Sequence, residues 1–428
     1  MRIVQITPGS GDNFYCENCL RDRALVGALR ALGHDVILVP FYLPLQSQDE
    51  PPLTEVPIFY GGVNVYLQQK LALFRKTPRW LDKLFDCRAL LDWAGRKVGM
   101  TSAKDLGETT LSMLRGREGR QIKELERFLD WLDADENRPD VVMISNVLLS
   151  GLVPAIKERL EVPVFCLLQD EDGFVDGLAS PYAEQAWELM RRSAREVDGF
   201  LAVSEFYDRL MAQRLKIPRS KRHCLPIGIP IHEYSPAPES PAVPTIGFLS
   251  RLCAEKGLDR LVDAFILIKS EPQLAHARLR ISGGRLRSDE PLIRRLQQRL
   301  EKAGCLDDVT FSGEFSFSAR LRFLQDLTVL TVPEKSPVAY GLYVLEALAC
   351  AVPVVQPAIG VFPELIAHTQ GGLLYEGTSA IDLAQALKPL LLDNEKARRL
   401  GQKGLQGVRL HYDIQRTAER IMAIIESR

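Results

Sequence analysis

Two cations stand five residues apart in the run Ile246-Gly247-Phe248-Leu249-Ser250-Arg251-Leu252-Cys253-Ala254-Glu255-Lys256-Gly257-Leu258-Asp259. The apolar first part reads as a strand and the last part opens a helix, so Arg251 and Lys256 straddle a strand-to-helix turn. A guanidinium and an ammonium at a helix N-terminus are suited to hold an anion; the plainer reading is a pair of solvated surface charges. A second place of the same kind lies in the run from Pro333 to Val355. There a strand ends, Gly341 marks a loop and a helix begins at about Leu342, which leaves the amides near Gly341 and Leu342 available to an anion. Glu346, one turn into that helix, is placed to accept hydrogen bonds from sugar hydroxyls. Its plainer reading is the one exposed glutamate of an amphipathic helix.

Other motifs carry less. Cys16-Glu17-Asn18-Cys19 has redox-pair spacing, but no second pair or nearby histidine completes a zinc site, and packing or loop rigidity accounts for it as well. Gly9-Ser10-Gly11-Asp12-Asn13-Phe14 is an incomplete dinucleotide fingerprint, with Phe14 at the third glycine position. No complete P-loop and no Gly-x-Ser-x-Gly is present. The segment from Lys70 to Phe85 interleaves basic and apolar residues; it suits contact with a membrane surface, or an ordinary helix lying on a core.

The elements that must position these residues follow from length and periodicity. The chain has 428 residues, 46% hydrophobic and 25% charged, enough apolar material for two sizeable cores and too much for disorder. Its net charge is −1, which excludes a global basic field for nucleic acid. No apolar run approaches the roughly 18 residues of a membrane span, and the start is too short in its apolar part for a signal peptide. The scattered cysteines read as reduced, cytosolic thiols. Strands are expected at 3–7, 36–40, 141–145, 162–168 and 200–204, with a helix from Leu20 stopped at Gly33. Residues 44–138 break the rhythm and read as a largely helical insertion carrying Trp80, Trp93 and Trp131. Six prolines between 226 and 244 mark a linker. A second series has strands near 245–249, 278–282, 309–312, 327–332 and 352–356, and helices near 258–269, 290–303, 343–350, 380–391 and 394–408. This pattern predicts two doubly wound α/β domains with ligands at the carboxyl ends of the strands.

At this point the motifs resemble a family. Ser250-Arg251 with Lys256-Gly257, then Tyr340-Gly341-Leu342, Glu346-Ala347 and Pro353-Val354, then Pro363-Glu364-Leu365-Ile366 and Gly371-Gly372-Leu373-Leu374, fall in the order of the retaining GT-B glycosyltransferases of family 4. Gly33-His34-Asp35-Val36 and Val203-Ser204-Glu205 extend the resemblance to the first half. It implies a GT-B fold, two Rossmann-like domains facing a central cleft, with residues 1–228 on the acceptor side, 229–408 binding the nucleotide sugar, and a last helix in 409–428 crossing back. It also implies metal-independent transfer of a sugar from a UDP- or GDP-sugar to a glycan, lipid-linked or small-molecule acceptor, in the cytoplasm or at the inner face of a membrane. Carried over by position, Arg251 and Lys256 neutralise the donor diphosphate, the amides of Gly341 and Leu342 cradle it beside Tyr340, and Glu346 takes the ribose. Glu314 and Phe315 border the base, and Gly11 lets the backbone approach the phosphates. Asn146, Gln169 and Asp170 lie on the acceptor side, with Gln169 grouped with the two cations as catalytic.

Three polar family positions are changed. Val338 stands eight residues before Glu346, where the family carries a glutamate, and Glu334 lies four residues earlier as its substitute candidate. Gln169 stands where a histidine is usual, and Ile227-Gly228-Ile229-Pro230 replaces an Asn-Gly-x-Asp. These changes motivate a second reading, a sugar-nucleotide-binding or scaffolding protein without transfer. A third, nucleotide-sugar epimerisation, is opposed by the shortage of histidines, six in all.

Overall fold

The computed structural model describes residues 1–8, 17–41, 59, 103–226, 228–239, 241–313 and 316–427. The chain divides into two compact units. The first comprises Met1–Gly11, Val26–Gln46 and Pro51–Leu225, and the second Asp12–Leu25, Ser47–Glu50 and Pro226–Arg428.

The first unit is built on a six-stranded parallel sheet. Its strands are β1 (Arg2–Thr7), β2 (Asp35–Pro40), β3 (Val141–Ser145), β4 (Val164–Leu168), β5 (Gly199–Ala202) and β6 (Arg222–Cys224), in the order β2-β1-β3-β4-β5-β6. Every residue of β3 and β4 is buried, as an apolar run covered on both faces requires. The helices are α1 (Glu17–Ala31), α2 (Ala103–Leu114), α3 (Ile122–Asp133), α4 (Val153–Leu160), α5 (Asp172–Asp176), α6 (Tyr182–Ala194) and α7 (Glu205–Leu215), of which the first half of α1 belongs to the second unit. In α3, Leu125, Phe128, Leu129 and Leu132 recur on one face and are all buried. Phe128 meets Phe41 edge-on at 5.3 Å between ring centres, which ties this helical stretch to the end of β2. The strand expected to run to residue 204 stops at Ala202; Ser204 is buried and its hydroxyl accepts from the Tyr207 N–H at 3.1 Å, capping α7. Of the insertion expected over 44–138, the part from 103 onward is helical. Trp80, Trp93 and the basic segment from Lys70 to Phe85 lie outside the described residues.

The second unit repeats the plan with β7 (Thr245–Leu249), β8 (Arg278–Ser282), β9 (Val309–Ser312), β10 (Val329–Leu330), β11 (Val354–Pro357) and β12 (Gly372–Tyr375), in the order β12-β11-β10-β7-β8-β9. Its helices are α8 (Leu258–Lys269), α9 (Glu290–Lys302), α10 (Phe317–Gln325), α11 (Leu342–Ala349), α12 (Phe362–Thr369), α13 (Ala380–Leu392), α14 (Asn394–His411) and α15 (Ile414–Glu426). Two of these, α10 and α12, and the strand β12 have no counterpart in the pattern read from the sequence. The strand expected over 327–332 pairs only at Val329 and Leu330. Among the described residues no helix is long and apolar enough to cross a membrane.

Strand order fixes where chemistry can sit. In each unit the direction of winding reverses beside its first strand, between β1 and β3 in one and between β7 and β10 in the other. The carboxyl ends of those strand pairs are the natural binding crevices of the fold.

Candidate donor site and the carboxyl end of the first sheet

Arg251 leaves β7 at the reversal point of the second sheet. Its guanidinium forks onto Asp289, at 3.1 and 3.3 Å, while Asp289 also accepts the Leu286 N–H at 2.8 Å. Arg251 keeps 40% of its side-chain surface, so the pair holds the cation in place and leaves one side open. Lys256 is the more enclosed cation. Its ammonium lies 2.7 Å from Glu334 Oε1, and the Tyr343 hydroxyl donates to the same oxygen at 3.0 Å. The turn that presents Lys256 is pinned by Gly257, at φ +72°; a Cβ there would stand 1.9 Å from the Pro333 carbonyl oxygen. Lys335 completes the stitching of the β7 and β10 loops: its N–H donates to the Glu255 carbonyl and its ammonium pairs with Asp259.

The amides expected to receive an anion lie on the same side of the unit. Gly341 caps α11, and the Leu342 N–H donates to the Glu17 carboxylate at 2.8 Å. Tyr340 is buried, and that burial pushes its phenol far above the usual range, opposed by the nearby Arg21 guanidinium. Val338, at the position of the family glutamate, is buried against the Gly360 turn and accepts the Val361 N–H through its carbonyl. Glu346 corrects the reading of α11 as amphipathic. All eight residues of the helix are buried, and Glu346 has no exposed surface. Its Oε1 accepts the Tyr234 hydroxyl at 2.8 Å and lies 3.3 Å from the Arg320 guanidinium. Gly11, Glu314 and Phe315 lie outside the described residues, as does Cys16 of the cysteine pair.

In the first unit the structure brings Asn146 and Gln169 to adjacent strand ends, β3 and β4. Asn146 caps the following turn by accepting the Leu148 N–H at 3.1 Å. Gln169 is buried; its side-chain amide donates to Ser145 Oγ at 2.8 Å and its Oε1 has no partner. Asp170 takes a left-handed conformation, φ 62°, and is exposed. That turn swings the next residue inward. Glu171, which the sequence reading did not single out, is buried, and its Oε2 accepts the Gln169 N–H at 2.5 Å and the Tyr207 hydroxyl at 3.1 Å, while Oε1 has no partner. Burial raises its carboxyl from the usual 4.5 to about 7, against the lowering effect of those hydrogen bonds. Three consecutive acids after an apolar strand were the only signal in the sequence, and nothing in them says which one folds in.

Comparison with known proteins decides the family. A family model described as Glycosyl transferase 4-like domain matches residues 22–228, and one described as Glycosyl transferases group 1 matches residues 234–406. The chain belongs to the group 1 glycosyltransferases of GT-B fold. A GDP-mannose-dependent alpha-(1-6)-phosphatidylinositol monomannoside mannosyltransferase of Mycobacterium tuberculosis is 30% identical over 207 residues, 45% of this chain and 52% of that protein. The chain thus spans about half the length of this curated relative. Sucrose-phosphate synthase from Thermosynechococcus elongatus superposes with a TM-score of 0.72 at 18% identity, covering 100% of this chain and 99% of that one. Anabaena HepE in complex with UDP superposes with a TM-score of 0.70 at 14% identity over the whole of both chains. These likenesses establish the two-domain Rossmann-like architecture predicted from the sequence.

Proposed function

We propose that this protein transfers a sugar from a nucleotide diphosphosugar to an acceptor hydroxyl, with retention and without a metal ion. The observation that carries the reading is the placement of Arg251 and Lys256 after β7, at the reversal of the second sheet. Transfer places negative charge on the departing diphosphate. Cations already held by Asp289 and Glu334 can stabilise that charge without reorganising in the transition state, and the α11 N-terminus adds oriented N–H dipoles. Gln169 and Asn146 supply neutral hydrogen-bonding groups for the acceptor. Gln169 does not carry charge, so its role is orientation. The donor is a UDP- or GDP-sugar. The mycobacterial relative is named for GDP-mannose and the Anabaena structure holds UDP, so both bases belong in the screen. That relative is also named for a phosphatidylinositol mannoside, which makes a lipid-linked acceptor the first to try.

The test is a panel of UDP- and GDP-sugars with and without lipid-linked and free glycan acceptors, read as released nucleoside diphosphate. Release that persists in EDTA, gives a product of unchanged anomeric configuration by proton NMR, and is lost in Arg251→Ala/Lys256→Ala supports the proposal. Binding of a nucleotide sugar with no release over hours would replace it with a non-catalytic binding role. Unchanged affinity in the double variant would defeat the assignment of the site.

A further inference from the structure

Among the described residues Arg21 is the largest of the fully buried side chains, with no exposed side-chain surface. One guanidinium nitrogen pairs with Asp22 at 3.0 Å, while Nε and the other terminal nitrogen have no partner. A buried guanidinium with two unsatisfied nitrogens is costly and calls for a cause. Its surroundings supply one. The guanidinium carbon lies 5.7 Å from the centre of the Tyr340 ring, and Tyr340 directly precedes Gly341 and Leu342 at the start of α11. Glu17, four residues before Arg21 on α1 and hence on the same helical face, already holds the Leu342 N–H with its carboxylate. All of these residues belong to the second unit.

We infer that Arg21 is a ligand of the donor diphosphate and that Glu17 is a built-in stand-in for that anion, seated on the α11 N-terminus until the donor displaces it. The inference rests on the proposed nucleotide-sugar function and adds two residues to it. Charge supports the exchange. Arg251 is paired with Asp289, Lys256 with Glu334, Arg320 with Glu346 and Arg21 with Asp22. Glu17 places its carboxylate directly on the Leu342 amide. A diphosphate entering this set meets repulsion from Glu17 at the very amide it would use, and finds in Arg21 two N–H groups with nothing to bond. Removing the carboxylate should therefore strengthen anion binding, and disabling the guanidinium should weaken it.

The two substitutions act in opposite directions, which a general loss of fold cannot imitate. Binding of UDP, GDP and inorganic pyrophosphate would be measured by calorimetry for the full chain, for Glu17→Ala and for Arg21→Lys, with circular dichroism to verify folding. Glu17→Ala should tighten nucleoside diphosphate binding about 5-fold, the scale of one charge at a helix N-terminus. Arg21→Lys should weaken it about 10-fold or more, the scale of a lost charged hydrogen bond. Pyrophosphate should follow the same signs, since the contact is to phosphate and not to the base. Equal or weaker binding by Glu17→Ala overturns the inference, and does so even where Arg21→Lys fails to fold, because Glu17 is only half-buried. Unaltered binding by a folded Arg21→Lys overturns it as well. If the unsubstituted chain binds UDP or GDP and both variants match it, this inference alone falls. If the unsubstituted chain binds none of the three, the nucleotide-sugar function falls with it.

Discussion

Glu171 offers a prediction whose sign and size both come from its burial. In the unfolded chain its carboxyl titrates near 4.5, and in the folded protein near 7. The folded state therefore keeps its proton over a range where the unfolded state has lost it. Stability falls as pH rises from about 4.5 to about 7 and levels off above that, because the slope follows the proton excess of the unfolded state, here negative. Over the full range the loss is about 3 kcal/mol, at roughly 1.4 kcal/mol per pH unit of separation. Glu171→Gln keeps the shape, still accepts the Gln169 N–H, and removes the charge. Asp172 and Tyr207, the titratable groups acting on Glu171, are common to both proteins, so most other pH effects cancel in the comparison. The assay is urea unfolding of both proteins at pH 5 and pH 8, followed by tryptophan emission. The two tryptophans among the described residues, Trp131 and Trp187, belong to the first unit, which also contains Glu171. Going from pH 5 to pH 8, the variant should gain roughly 2–3 kcal/mol on the unsubstituted protein. A difference between the two proteins that is the same at both pH values would show that Glu171 is ionised in the fold at pH 5. The argument from its burial would then be wrong.

Three further outcomes test the second unit. Gly257→Ala places a Cβ 1.9 Å from the Pro333 oxygen at a φ of +72°, so the melting temperature should fall by more than the about 1–2 kcal/mol of left-handed strain alone would cause, and nucleoside diphosphate affinity should fall with it as Lys256 is displaced. Tyr234→Phe removes a buried donor 2.8 Å from Glu346 and should cost about 1.5–3 kcal/mol by far-ultraviolet circular dichroism in denaturant. Arg320→Met strips the partner from a carboxylate with no exposed surface and should cost about 3–5 kcal/mol. Adding Glu346→Gln to that variant should recover much of the loss; a double variant as unstable as the single one would mean that Arg320 acts through packing on Phe317 and not through charge.

Much of the fold was legible because it depends on local runs. The apolar runs of β3, β4, β7 and β8 announce buried parallel strands, and the turn after β7 announces its two cations within a dozen residues. Helix α11 was legible in principle as well: Leu342-Tyr343-Val344-Leu345-Glu346-Ala347-Leu348-Ala349 is apolar all round, which is the pattern of a buried helix, and a buried helix cannot carry an exposed glutamate. Strands as short as β10 and the edge strand β12 give too few residues for a period to show. What the sequence could not display were the long-range partners. Asp289 reaches Arg251 across 38 positions, Glu334 reaches Lys256 across 78, and Glu17 reaches Leu342 across 325. A spacing rule sees cations beside a helix start and infers a positive pocket; only the folded chain shows the acids that answer them.

That difference alters the physics expected of the site. An uncompensated cluster of Arg251 and Lys256 would repel itself, with both side chains free to move, and binding would have to pay for ordering them. Paired with Asp289 and with Glu334 and Tyr343, the same cations are held in one geometry before any donor arrives. The cost is affinity, because a diphosphate must compete with carboxylates already in place. On the proposed function the benefit falls on the reaction step, where charge grows on the leaving phosphate next to groups that need not move. A site of this kind should bind the ground-state donor only modestly. On the same reading, its stabilisation is concentrated on the state in which the sugar–phosphate bond is breaking.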